Sequence, residues 1–172
     1  MKRLPVILLV LGLVLLFQGC SFFQSNQVNL RTDQDFINYA LDAERTLYGL
    51  VFINNPALLR QYHIKPVSTR INTKQDLGKV LDQYWDSEII DSLWQEGSKF
   101  MPNQPFGFYS DIFTDLGLLE AKRIRVKRQS AMEVIVSGEV QVPASEVAEG
   151  YNYTAILIIK RTPSGWKVQI GK

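Results

Sequence analysis

Cysteine and histidine each occur once among the 172 residues of this chain. A single Cys has no intramolecular disulfide partner, and one Cys with one His cannot complete a Cys/His zinc site. A surplus of charge is missing too, since 19 Lys and Arg stand against 17 Asp and Glu. No internal repeat or low-complexity tract interrupts a composition that is 46% hydrophobic. Collagen-like, disordered and disulfide-framework chains are therefore excluded. The length suits one compact domain with an additional segment.

That segment lies at the front. Lys2 and Arg3 precede an uncharged apolar run over residues 4–17, and Gln18-Gly19-Cys20 closes it. A membrane-spanning helix needs about 20 apolar residues, so this shorter core reads as the hydrophobic region of a signal peptide. Gly19 immediately before Cys20 resembles the lipobox of bacterial lipoproteins. Phe17 and Gln18 stand where that pattern usually has Leu and a small residue. The resemblance implies cleavage before Cys20 and acylation of its thiol; a diacylglyceryl group carries two chains, enough for stable attachment. The competing reading is an uncleaved anchor extending through Cys20 to Phe22 and Phe23. Both leave the basic residues on the cytoplasmic side and carry the remainder across the membrane. The expected layout is a signal peptide at 1–19, a tether at 20–32 with Cys20 lipidated, and a single domain at 33–172. Its location is the cell membrane, lipid-anchored on the extracytoplasmic face. Loss of residues 1–19 removes Lys2 and Arg3 and leaves 17 basic and 17 acidic side chains. The +2 balance of the whole chain is then no argument for nucleic-acid binding.

Periodicity begins at residue 32. Thr32 or Asp33 can cap a helix that places Phe36, Ile37, Ala40, Leu41, Leu47, Tyr48 and Val51 on one face. Asn54-Asn55-Pro56 ends it. Thr73-Lys74-Gln75-Asp76 has the form of a capping box with Asp in place of Glu. Leu77, Val80, Leu81, Tyr84 and Trp85 follow as one amphipathic stripe. Asp86-Ser87 restarts a short helix carrying Ile89, Ile90, Leu93 and Trp94, with Gly97 as its C′ residue. Beyond a stretch punctuated by Pro102, Pro105, Gly107 and Gly117, β-branched alternation predicts strands at 119–129, 132–142, 151–161 and 166–170. Short connections favour an antiparallel meander. Helices first and strands last predict an α+β fold: N-terminal helices packed on a C-terminal, curved antiparallel sheet of four or more strands, a cone or a cystatin-like roll.

Few residues suggest chemistry. His63 has no Ser or carboxylate at a spacing that suggests a triad, and reads as a surface or packed residue. Asp111 and Asp115 could serve glycoside hydrolysis as a carboxylate pair. No calcium-loop pattern surrounds them, and hydrogen bonding within a turn is their plainer use. No catalytic residue, metal ligand or cofactor is assigned. Tyr84, Trp85 and Trp94 read first as core aromatics; with a pocket between helices and sheet, Trp85, Trp94 and Tyr153 would line it for a small ligand.

The run from Lys122 to Arg128 is more pointed. On a strand, Arg123, Arg125 and Lys127 share one face at intervals of roughly 6.6 Å, with Ile124 and Val126 opposite. Residues 31–120 hold 8 basic and 13 acidic side chains, a balance of −5, whereas residues 121–172 hold 9 and 4, a balance of +5. Such polarity suits either a solvated sheet face or an electrostatic footprint for an acidic protein, an anionic wall polymer or lipid head groups. In the third strand both Leu157/Ile159 and Ile156/Ile158 are apolar, which marks a central strand covered on both sides or a docking patch.

Ile71-Asn72-Thr73-Lys74-Gln75-Asp76-Leu77, then Leu81, Tyr84 and Trp85, then Asp115-Leu116-Gly117 before a strand-rich end carry a second resemblance. The pattern resembles extracytoplasmic proteins of Firmicutes related to the inhibitor of peptidoglycan DL-endopeptidases. That family has an aromatic where Ile71 stands and a D-G-G-like loop where Leu116 stands, and no inhibitory residue carries over. With the lipobox-like start, the polarised charge and the lack of a catalytic constellation, the expected function is a non-enzymatic binding module that contacts a cell-wall enzyme or a wall component. The resemblance implies an inhibitor or modulator of a cell-wall hydrolase. The alternatives are a small-ligand carrier with a cone-shaped fold, and an enzyme using Asp111 or Asp115.

Overall fold

Thr32 and Asp35 start the first helix by capping each other: the Asp35 N–H donates to Thr32 Oγ1 at 3.1 Å, and Asp35 Oδ2 accepts the Thr32 N–H at 2.8 Å. A computed structural model describes residues 28–51, 56–67, 71–100, 116–144 and 149–171. Cys20, Asn54, Asn55, Asp111 and Asp115 lie outside the described residues. Among those described are four α-helices, α1 (Asp33–Val51), α2 (Pro56–Gln61), α3 (Lys74–Leu81) and α4 (Ser87–Phe100). A 3-10 turn (Leu118–Glu120) leads into strands β1 (Ile124–Arg128), β2 (Glu133–Val142), β3 (Tyr151–Thr162) and β4 (Gly165–Ile170). The strands pair in sequence order, all antiparallel, so the fold is α+β with an antiparallel meander.

The helices cover one face of that sheet. Phe36, Ala40, Ala43 and Leu47 of α1 pack with Val134, Val136 and Val140 of β2, Leu157 and Ile159 of β3, and Val168 of β4. Alternation along β2 and β3 selects this inner face, because successive side chains of a strand point to opposite sides. Arg128 closes the first helix against the sheet: its guanidinium lies 5.2 Å from the Phe36 ring centre and bonds Asp33 Oδ1 at 2.9 Å and the Arg31 carbonyl at 2.7 Å.

Three boundaries differ from expectation. The stripe from Leu77 to Trp85 is not one helix, since α3 stops at Leu81. The chain then runs beside β4, where the Val168 N–H donates to the Tyr84 carbonyl at 2.7 Å and the Asp86 N–H to the Val168 carbonyl at 3.1 Å. Sheet pairing with a strand some 80 residues away outcompetes another helical turn, and Lys167 secures the bend by donating to the Asp82 carbonyl. Gly97 lies inside α4, which continues to Phe100, so it is no C′ residue. The first strand is shorter than 119–129 because residues 118–120 form the 3-10 turn, held by the Leu119 N–H donating to Glu44 Oε2 at 3.0 Å.

Candidate functional site

The face of the sheet turned away from the helices reads, row by row, from the register. Gln141 pairs Asn152; Arg123 lies by Glu139 and Thr154; Arg125 by Ser137 and Ile156; Lys127 by Ile135, Ile158 and Gln169; Glu133 by Lys160 and Lys167. Arg123, Arg125 and Lys127 are all exposed along the outer strand of this face. Arg125 meets Glu139 at 3.3 Å with both side chains largely in solvent, a pair of small energetic weight. Among the described residues Arg123 and Lys127 have no ion-pair partner. Ile135, Ile156 and Ile158 are half-buried between these cations and the β4 side.

One end of the face opens into a groove of about 470 Å³ lined by Lys122, Arg123, Glu139, Val140, Gln141, Asn152, Tyr153 and Thr154. A β-bulge builds its basic wall. The Lys122 N–H donates to the Glu139 carbonyl at 3.1 Å while the Glu139 N–H donates to the Arg123 carbonyl at 3.3 Å, so two residues oppose one. Such an insertion turns consecutive side chains to the same side. Lys122 accordingly reaches Gln141 Oε1 at 2.5 Å, beside Arg123 rather than beneath it. Groove and stripe together offer cations, amides and a hydroxyl, a set that binds anionic or hydroxyl-rich groups.

Of the three aromatics considered for a pocket, only Tyr153 lines this groove. Trp85 is 0% exposed, with its indole N–H donating to the Ala43 carbonyl at 3.0 Å. Trp94 is half-buried against the same core. The three are not brought together at a common opening among the described residues, because the turn after α3 takes Trp85 inward. His63 is exposed and has a structural task. With φ 54° it is the left-handed residue after α2, its N–H donating to the Arg60 carbonyl at 3.2 Å and that of Ile64 to Leu59 at 2.8 Å. These are the two bonds of a Schellman helix end. Among the described residues no cluster of three or more His, Cys, Asp or Glu is placed to hold a metal, and no helix is long and apolar enough to cross a membrane.

Sequence reasoning passed over Glu44. It lies at the middle of α1, 0% exposed, and its Oε2 accepts the Leu119 N–H. Oε1 has no hydrogen bond of good geometry, although the Tyr48 hydroxyl and the Gly117 N–H lie near the carboxyl. Burial pushes the Glu44 carboxyl up to about 7, against the opposing pull of Leu119 and Gly117. Tyr48 is raised by burial and by Glu44, and Tyr62 by burial and by its 2.6 Å hydrogen bond to Glu120. Tyr153 joins this polar cluster to the groove: its hydroxyl donates to the Leu116 carbonyl at 2.6 Å, close over Gly117. Gly117 has φ 152°, and a Cβ there would collide with that hydroxyl.

Glu139, Gln141, Asn152 and Thr154 were available from strand alternation alone, whereas the shared side of Lys122 and Arg123 depends on the bulge, which no residue pattern announces. No protein-family model matches the chain, and neither curated proteins nor solved structures yield a match.

Proposed function

We propose that this chain is a membrane-anchored extracytoplasmic lipoprotein, tethered through Cys20, that acts without catalysis as a binding module. Its outer sheet face docks an acidic protein partner, a cell-wall hydrolase whose activity it modulates. The observation that carries this reading is the stripe of Arg123, Arg125 and Lys127, exposed on an edge strand and continuous with the groove. Cations in such a row steer an acidic surface and fix its orientation. The resemblance of the 71–77 and 115–117 phrases to a hydrolase-inhibitor family supports the choice of partner, and the lipobox-like Gly19-Cys20 supports the address.

The test combines purified wall hydrolases with the full-length chain and with a variant carrying Arg123→Glu, Arg125→Glu and Lys127→Glu. Binding and a changed hydrolytic rate, both lost in the variant, are expected. Unchanged hydrolysis with no binding rejects the reading. Mass spectrometry of the native product addresses the anchor: an acylated N-terminal Cys20 is expected, and an intact Met1 with a free thiol refutes it.

A second reading, small-ligand carriage, is favoured by the groove itself. Its volume of about 470 Å³ falls within the range of small-molecule sites. The polar lining points to a hydroxylated or anionic ligand rather than an apolar one, and a screen of wall-derived saccharides against Asn152→Ala separates this from protein docking.

A further inference from the structure

The sheet has two edges, and they differ. The β4 edge is taken at its middle by the Tyr84–Asp86 backbone, through the two hydrogen bonds at Val168, and the Trp166 carbonyl accepts the Tyr39 hydroxyl at 2.5 Å. The β1 edge has no strand beside it among the described residues. Hydrogen bonding between β1 and β2 runs through odd-numbered residues: the Arg123 carbonyl accepts from Glu139, and the Gln129 N–H donates to the Glu133 carbonyl at 3.0 Å. In an antiparallel pair alternate residues then turn their N–H and C=O groups outward. Ile124, Val126 and Arg128 are those residues.

We propose that β1 receives an extended segment of the partner as a fifth strand, with acidic side chains at every second position and apolar ones between. This rests on the docking reading above and specifies its partner chemistry. Main-chain bonds to Ile124 and Val126 supply affinity, as in other cases of strand addition. Side chains of an added strand alternate between the two faces of the sheet. Those on the outer face come beside Arg123, Arg125 and Lys127, cations that two carboxylates at i and i+2 match in spacing. Those on the inner face come beside Ile124 and Val126, both half-buried. A second copy of β1 is disfavoured as occupant, because like charges set opposite one another repel. Basic side chains on an edge keep other basic or apolar edges away; against an acidic strand the same residues select.

Nine-residue peptides provide the probe: one alternates Glu with Val, and a second has the same composition with its Glu residues consecutive. Binding to the full-length chain in detergent is measured by calorimetry, together with hydrogen exchange of the β1 amides. The alternating peptide is expected to bind about tenfold more tightly than the block peptide and to slow exchange at Ile124 and Val126. Val126→Pro removes an outward donor without touching the β2 ladder and is expected to weaken binding about tenfold. N-methylation of the alternating peptide at the positions facing β1 is expected to do the same with the protein unaltered, so the outcome does not hang on how the Pro variant folds. Equal affinity of the two sequences, full affinity of the N-methylated peptide, or no binding of either overturns strand addition. The hydrolase assay with the triple Glu variant is separate: loss of binding there, with no discrimination here, leaves charge-guided docking standing and removes only the fifth strand.

Discussion

Replacing Glu44 by Gln is expected to change how stability depends on pH, with a sign opposite to that of most carboxylates. Glu44 titrates near 4.5 when unperturbed and at about 7 in the folded protein, where burial penalises its charge. Between those values the native chain keeps a proton that the unfolded chain has released. Stability therefore falls as pH rises from about 4.5 to 7, and is level above. A displacement of about two and a half units corresponds to about 3 kcal/mol. Gln is neutral at every pH and retains an oxygen for the Leu119 N–H, so Glu44→Gln is expected to be about 3 kcal/mol more stable than wild type at pH 8 and near it at pH 5. Urea unfolding followed by tryptophan fluorescence at pH 5, 6, 7 and 8 reads the difference in midpoint at constant slope. Asp35 and Asp76 do not confound it. Backbone and side-chain hydrogen bonds from Thr32 hold Asp35 below the usual carboxylate range, and those from Thr73 and Lys79 do so for Asp76. The stability they contribute is lost only as pH falls toward and below that range. Parallel curves for the variant and wild type across all four pH values would refute the account of Glu44 as a desolvated carboxyl.

Trp85→Ala is expected to cost about 3–5 kcal/mol, since it empties the largest fully buried side chain and removes the indole hydrogen bond to the Ala43 carbonyl; chemical denaturation measures it, and a loss below 1 kcal/mol contradicts the assigned core position. His63→Gly is expected to stabilise by about 0.5–1 kcal/mol because φ 54° is free for Gly and costly for His. A lower melting temperature in that variant argues against the Schellman end. Gly117→Ala is expected to destabilise by at least about 2 kcal/mol, through its φ of 152° and through collision with the Tyr153 hydroxyl. Combining it with Tyr153→Phe removes the hydroxyl and is expected to recover part of that loss, a coupling that a double-mutant cycle reports.

Much of the architecture was legible because it is local. Thr73 through Asp76 cap as the residues suggest, with the Asp76 N–H on Thr73 Oγ1 at 3.2 Å. In β2, alternation separates Val134, Val136 and Val140 from Ile135, Ser137 and Glu139 as pleating requires. Trp85 was harder. Its spacing from Leu77 fits a helix, and only β4, far along the chain, decides that the backbone there pairs with a strand. Glu44 was illegible for a different reason, a charged side chain at a fully buried helix position. Its position relative to Ala40 and Leu47 places it on the buried face of α1, yet its charge argued against the core. The site was half visible: charge and strand period marked Arg123, Arg125 and Lys127, while Lys122 joined them through a bulge that only the completed sheet defines.

The docking of Tyr84–Asp86 against β4 has a consequence for assembly. A sheet that can be extended from one side alone has a valence of one. The open margin takes one added strand and the opposite margin takes none, so lateral addition stops at a single partner. Fibre growth, which needs every unit to present two acceptor sides, is barred by three residues of backbone laid along the last strand.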